Sequence, residues 1–254
     1  MGGEAPCPQA CARRVGSEGS PADTCAVIVA GGTGERFGDP RGKQFADLCG
    51  LPLMCWSIVA FDRAPSVARI VVVCAPDRAA QVEKDVLSRL SLKKPVTLAP
   101  SGATRQASVL SGLGAVPRDL EFVAVHDAAR PLVETEMIER AIEAVRSDPA
   151  LAGAILATRA VDTLKLVEGT TIVATPDRSF YWAAQTPQVF RRRVLLAAHK
   201  AAARDEYPGT DDSSLVERMG GRVRCVECSR DNIKITLPED LAIAEAALER
   251  RLLA

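Results

Sequence analysis

Apolar positions along the chain follow two alternating rhythms. Cys25-Ala-Val-Ile-Val-Ala30 is a near-continuous apolar run, the pattern of a parallel strand buried on both faces. A Gly-rich loop follows it, and residues 52–63 then take up helical spacing. Arg69-Ile-Val-Val-Val-Cys74 predicts a second strand and 77–90 the next helix. Residues 96–99 and 104–113 predict another strand and helix, as do 122–126 and 134–146, and 153–157 repeats the strand pattern. Strand, helix, strand, four times over, predicts an α/β domain: a Rossmann-like, mostly parallel sheet with helices on both faces. Such sheets bind ligands at the carboxyl ends of their strands. The loops beginning at Gly31, Pro100 and Asp127 are therefore expected to meet at one crevice.

Beyond Val161 the alternation breaks. Asp162–Glu168 and Thr171–Pro176 flank Gly169-Thr170, which reads as a β-hairpin within an arm spanning about 158–180. A two-stranded hairpin is only marginally stable by itself, so a cover is expected, and a second copy of the chain is the natural candidate. A helix over 191–204 follows, then a helix opening at Thr210, strands within 222–235 and a last helix. That last helix carries Thr236, Pro238 and Glu239, the spacing of a capping box. No internal repeat of about 20–50 residues is present, which argues against a solenoid.

Composition narrows the class. The chain of 254 residues is 47% hydrophobic and 25% charged, and Lys plus Arg and Asp plus Glu both number 32. A zero balance with no basic run argues against a nucleic-acid-coating protein, while leaving room for a local cluster of cations. No apolar run of about 18 residues exists, so no transmembrane helix and no membrane partner is expected. Residues 1–24, with Arg13 and Arg14 and no apolar stretch of a secretory signal, read as a disordered leader before a domain over 25–254. A cytoplasmic protein with reduced thiols is the expectation for the eight cysteines. Zinc at Cys225 and Cys228 lacks a second ligand pair outside the leader, and residues three apart on a strand face opposite sides.

The loop Ala30-Gly-Gly-Thr-Gly-Glu-Arg-Phe-Gly38, followed by Asp-Pro-Arg-Gly-Lys43, lets backbone approach a phosphate beside the cations Arg36 and Lys43. Phe37 stands where both the dinucleotide fingerprint and the P-loop need glycine, so neither motif is present. In Ser101-Gly-Ala-Thr-Arg-Gln-Ala-Ser108, Arg105 and Ser108 share a helix face, which on its own reads as a capped helix with a solvated Arg. His126-Asp-Ala-Ala-Arg-Pro131 ends a strand, placing Asp127 to hold a magnesium ion or a ribose hydroxyl. His126 reads as a packed residue rather than a base. Only two histidines exist, which gives a Ser-His-Asp triad little support. In Asp231-Asn-Ile-Lys-Ile-Thr236, Lys234 lies near a strand end, where a lysine by itself is usually solvated.

Taken together, V-H-D-A-A-R-P, T-P-Q-V-F at 186–190 and D-N-I-K-I-T with P-E-D-L resemble the 2-C-methyl-D-erythritol 4-phosphate cytidylyltransferases, over Cys25 to Leu248. The resemblance implies transfer of CMP from CTP to methylerythritol phosphate with Mg²⁺ as cofactor. Ala30, Gly31 and Gly32 would line the triphosphate pocket, with Arg36, Lys43 and Lys234 as the catalytic cations. Gly102 and Ser108 would read cytosine with Arg105 supporting their loop, and Asp127, Ala128 and Arg130 would lie near ribose and metal. Thr163, Arg178, Thr186 and Thr210 would hold the acceptor, the first two from the arm of a neighbouring subunit, which implies a homodimer with shared sites. Gly42 stands where the family commonly has proline before the loop lysine. The A-G-G-T-G loop and Gln185 are similar to ribitol-5-phosphate cytidylyltransferases, the alternative reading. A non-catalytic nucleotide binder would lack one of the cations Arg36, Lys43 and Lys234, all of which are present.

Overall fold

In the computed structural model, which describes residues 21–32, 37 and 42–253, the apolar runs form strands and the periodic stretches form helices. Strand β1 (Thr24–Val29) precedes a short ribbon, β2 (Asp47–Leu48) and β3 (Leu51–Pro52), and helix α1 (Leu53–Arg63). Then come β4 (Val67–Cys74), α2 (Ala79–Asp85), β5 (Val96–Pro100), α3 (Arg105–Gly114), β6 (Phe122–Asp127), α4 (Thr135–Arg146) and β7 (Gly153–Arg159). The hairpin is β8 (Leu166–Glu168) with β9 (Thr171–Ala174). The chain closes with β10 (Trp182–Arg191), α5 (Arg192–Arg204), α6 (Asp212–Arg218), β11 (Val223–Glu227) and α7 (Glu239–Leu253).

Seven strands form one sheet in the order β11-β7-β10-β6-β1-β4-β5. Side chains alternate across it, as strand geometry requires. Ala26, Ile28, Ile70 and Val72 face α1 and α4 through Ile58, Phe61, Ile138 and Ile142. Cys25, Val27, Val71 and Val73 face α3, α5 and α6 through Val109, Leu195 and Leu215. Each Val, Leu, Ile or Phe among them, fully buried, stabilises the fold by about 1.5–3 kcal/mol. A third cluster joins Trp56 and Leu132 to Ile235, Ala244 and Leu248, so α7 presses the segment before it against the ribbon side of the domain. No helix among the described residues is long and apolar enough to cross a membrane.

Several elements differ from the sequence expectation. The ten-residue strand β10 enters the sheet between β6 and β7, antiparallel to both. Pro187 interrupts its apolar run and sits where the register to β7 shifts, which hides the strand from a periodicity reading. Within 222–235 only β11 is a strand, and 228–238 is irregular backbone. The carboxylate that accepts from Thr236 N, Thr236 Oγ1 and Leu237 N belongs to Asp240, not Glu239, so the expected capping box is displaced by one residue. Helix α6 starts at Asp212 behind an Asp211 cap, two residues later than expected. The single helix expected over 77–90 is α2 flanked by two 3-10 turns. Of the leader, residues 1–20 lie outside the described residues, while Asp23 is held by Arg146 at 2.7 Å and Thr24 is already in β1.

Candidate active site

The loops that leave β1, β5 and β6 meet at a cleft of about 520 Å³ at the carboxyl ends of those strands. Ala30, Gly31 and Gly32 line one wall, where the Ala30 amide donates to Val73 O at 2.7 Å. A Cβ on Gly31 would fall 2.2 Å from the Ser101 Cβ, so the β1 and β5 loops touch at a point that only glycine fits. Gly102 is similarly close, its imagined Cβ 2.5 Å from the Ala107 Cβ. Thr104 caps α3 by accepting from Ala107 N, and Ser108 Oγ accepts from Gly102 N at 3.1 Å and donates to Thr104 O at 2.9 Å. Ser108 therefore acts mainly by shaping the loop that bears Gly102.

Asp127 sits at the floor of the cleft with both carboxylate oxygens in use. Arg105 Nε donates to Oδ1 at 3.0 Å and Lys234 Nζ to Oδ2 at 2.6 Å. Burial pushes the carboxyl up, but the two cations outweigh it and hold the group below the usual carboxylate range, so it is ionised at neutral pH. Arg105 is not the solvated arginine a lone helix motif suggests: its Nη1 also meets Asp212 Oδ2 at 2.9 Å. Lys43 Nζ donates to Ile235 O at 3.1 Å, which brings it to the same rim as Lys234. Ala128 also lines the cleft.

A buried relay stands behind this floor. The His126 ring is fully buried, which lowers its pKa to about 3 against the pull of Asp127, so it is neutral. Its Nε2 faces Arg130 O at 3.2 Å and must carry the proton, since a carbonyl only accepts. Nδ1 then accepts from Thr186 Oγ1 at 3.1 Å, and the same hydroxyl accepts from the Asp127 amide at 3.1 Å. Thr186, 4% exposed, thus fixes the backbone of Asp127. Arg130 is not among the residues lining the cleft, and its Nη1 donates to Asn232 O at 2.7 Å. Asn232, fully buried, donates to Gln185 Oε1 and Thr186 O and anchors the segment that carries Lys234.

Thr163, Arg178 and Thr210 are exposed and do not line the cleft of their own chain, and Arg178 donates to the Val161 carbonyl at the base of the arm. Arg36 lies outside the described residues. Among the described residues no cluster of three metal-ligating side chains exists, and Asp127 is the one carboxylate lining the cleft. A single ionised carboxylate suits Mg²⁺, which takes one or two carboxylates and draws its remaining ligands from phosphates and water. Sequence reasoning did not single out Asn232, Asp212 or His199. Asn232 is held by Gln185 and Thr186, far along the chain, and no local pattern marks such contacts.

The model of the family described as 2-C-methyl-D-erythritol 4-phosphate cytidylyltransferase matches residues 24–250. A protein of that name from Caldanaerobacter subterraneus is 41% identical over 226 residues, covering 89% of this chain and 98% of its own. One from Geobacter metallireducens is 40% identical over 230 residues, covering 89% and 98%. Among solved structures, the 4-diphosphocytidyl-2C-methyl-D-erythritol synthase of Anaerococcus prevotii superposes with a TM-score of 0.79 at 28% identity, covering 92% and 100%. The cytidylyltransferase of Francisella tularensis does so with a TM-score of 0.73 at 30% identity, covering 88% and 99%.

Proposed function

The chain belongs to the 2-C-methyl-D-erythritol 4-phosphate cytidylyltransferase family, and from that premise we propose how this site transfers CMP from CTP to methylerythritol phosphate. The acceptor's phosphate oxygen attacks the α-phosphorus of CTP, one P–O bond forms, and the bond to pyrophosphate breaks. A phosphate monoester is already an anion at neutral pH, so no strong base is required. The task is to hold two anions together and to stabilise charge in the transition state.

The observation that supports this reading is the convergence of Lys43 and Lys234 on a glycine-walled cleft floored by ionised Asp127. Lys234 leaves Asp127 for the reacting phosphate, and Lys43 exchanges the Ile235 carbonyl for the triphosphate. Gly102 and the loop held by Ser108 present backbone groups to cytosine. Asp127 would hold Mg²⁺ together with the phosphates of CTP, and the metal would supply charge neutralisation there. The relatives carry the methylerythritol name, so ribitol phosphate is not favoured as the acceptor.

The acceptor's remaining contacts come from a second copy. Leu166, Val167, Ile172 and Val173 on the hairpin are all about half exposed or more, and Phe180 is 82% exposed. An apolar, two-stranded arm of this kind calls for a partner surface. Thr163 and Arg178 on that arm then reach the partner's cleft, where the guanidinium matches phosphate oxygens two at a time. Free thiols at Cys25, Cys55 and Cys74 support a reducing, cytoplasmic setting. The decisive assay is pyrophosphate release from CTP and Mg²⁺ with methylerythritol phosphate and ribitol phosphate side by side. Turnover with the first is expected, and turnover only with the second, or with neither, would refute the reading.

A further inference from the structure

Two buried polar side chains take no part in the reaction as described. Asp212 is 1% exposed and His199 is fully buried. Asp212 opens α6, and His199 lies in α5, one helix away from the cleft. His199 Nε2 is 3.0 Å from Asp212 Oδ1, and Asp212 Oδ2 is 2.9 Å from Arg105 Nη1. Arg105 Nε holds Asp127 Oδ1, and Asp127 Oδ2 holds Lys234. Five side chains thus form one line in which charge alternates from Lys234 to Asp212 and ends on an imidazole N–H. With Asp212 Oδ1 accepting, His199 Nε2 is the donor of that contact.

Such a line is weak evidence of a stabilising role. The face on which it lies already packs apolar Leu195, Ala198, Leu215 and Val216. Buried ion pairs seldom stabilise a fold better than apolar groups of the same volume. The placement has a use at the cleft instead. Arg105 is a permanent cation with a forked head, and with Asp127 as its sole partner it would draw that carboxylate onto itself. Asp212 occupies the second prong, which leaves Asp127 shared with Lys234 and aimed at the cleft. The segment bearing Asp212 is itself tied to α3, because Gln106 accepts from Gly209 N at 2.9 Å and donates to Tyr207 O at 3.2 Å.

Resting on the cytidylyl-transfer reading, we propose that Asp212 and His199 are positioning residues for that reaction. His199 orients Asp212, and Asp212 holds Arg105 so that Asp127 and Lys234 meet the substrates in the productive arrangement. Neither touches substrate.

The test compares Asp212→Asn, His199→Leu and His199→Gln with the wild type by kcat, KM and circular dichroism. Glutamine places an N–H where the Nε2 proton of histidine lies, whereas leucine fills the space without it. Asp212→Asn and His199→Leu are expected to lower kcat about tenfold or more, with the KM for CTP changed by less than about threefold. His199→Gln is expected to return kcat to within about threefold of wild type. A folded Asp212→Asn protein with wild-type kcat, or a His199→Gln protein as slow as His199→Leu, overturns the proposal. Should the variants not fold, ¹⁵N spectroscopy of the wild type decides. With two histidines in the chain, the His199 ring must show a protonated Nε2, and a bare Nε2 refutes the line. Absence of CTP-dependent pyrophosphate release in the wild type would instead fail the functional reading and leave the ¹⁵N result to judge the geometry.

Discussion

His126 shows how one side chain makes the site sensitive to acid. Its ring titrates near 6.5 when unfolded and near 3 in the fold, because burial disfavours the charged form. Between those values the unfolded state binds the extra proton, so stability is complete above pH 6.5 and falls as pH drops toward 3. The slope approaches about 1.4 kcal/mol per pH unit. Asp127 acts lower down: its depressed pKa gives stability present above 3.8 and lost as pH falls below it. Urea midpoints measured from pH 7 to 4 are expected to decline, and His126→Gln, which cannot titrate, is expected to flatten that decline from a lower starting stability. Gly31 makes a second, steric case. Gly31→Ala puts a methyl 2.2 Å from the Ser101 Cβ and should force the two loops apart, raising the KM for CTP. Ser101→Gly removes the obstructing atom, so the double variant is expected to recover most of the loss, a coupling that a double-mutant cycle measures directly.

At the scale of elements, the hairpin β8–β9 exposes four large apolar side chains, Leu166, Val167, Ile172 and Val173. If it docks on a second copy, replacing Leu166 and Ile172 together with serine should shift the protein toward monomer in sedimentation. The melting temperature of the wild type should also rise with protein concentration, as it does when association stabilises the fold. The variant is expected to keep its thermal shift with CTP and to lose use of the acceptor. This hairpin was legible in the sequence because turn residues and short β-rich runs are local signals. So were the loops after β1, β5 and β6, since near-continuous apolar runs locate the strand ends that create them. Strand β10 was not legible, because Pro187 breaks its pattern and only its neighbours in the sheet compensate. Arg105 read as solvated because its partners Asp127 and Asp212 lie far along the chain. Asp212 reads locally as no more than a first-turn acid of α6. Contacts of that kind depend on which helices the topology brings together, and no local rule carries that information.

The whole molecule is expected to be two chains with two joint sites, and a mixing experiment separates this from two independent ones. Arg178→Ala should raise the acceptor KM and leave CTP binding nearly unchanged, whereas Lys43→Ala should lower turnover by about 100-fold or more. In a heterodimer of the two, joint sites place both lesions in one cleft and none in the other, so activity returns from two weak parents. Independent sites would each keep one lesion, and mixing would restore nothing. The position of β10 carries a further consequence, for the order in which the chain is made. Synthesis runs from the amino end, so β6 and β7 leave the ribosome before β10, yet β7 reaches β6 only through it. Until Phe190 has emerged, β7 lacks the strand that pairs it to the rest of the sheet, and the Asp127 amide lacks the Thr186 hydroxyl. Nascent chains arrested before that point should remain open to protease at 153–159, and those arrested after it should be protected. The newborn protein is then able to build its nucleotide-facing loops early, but not to lock its acidic floor until Thr186 has followed them out.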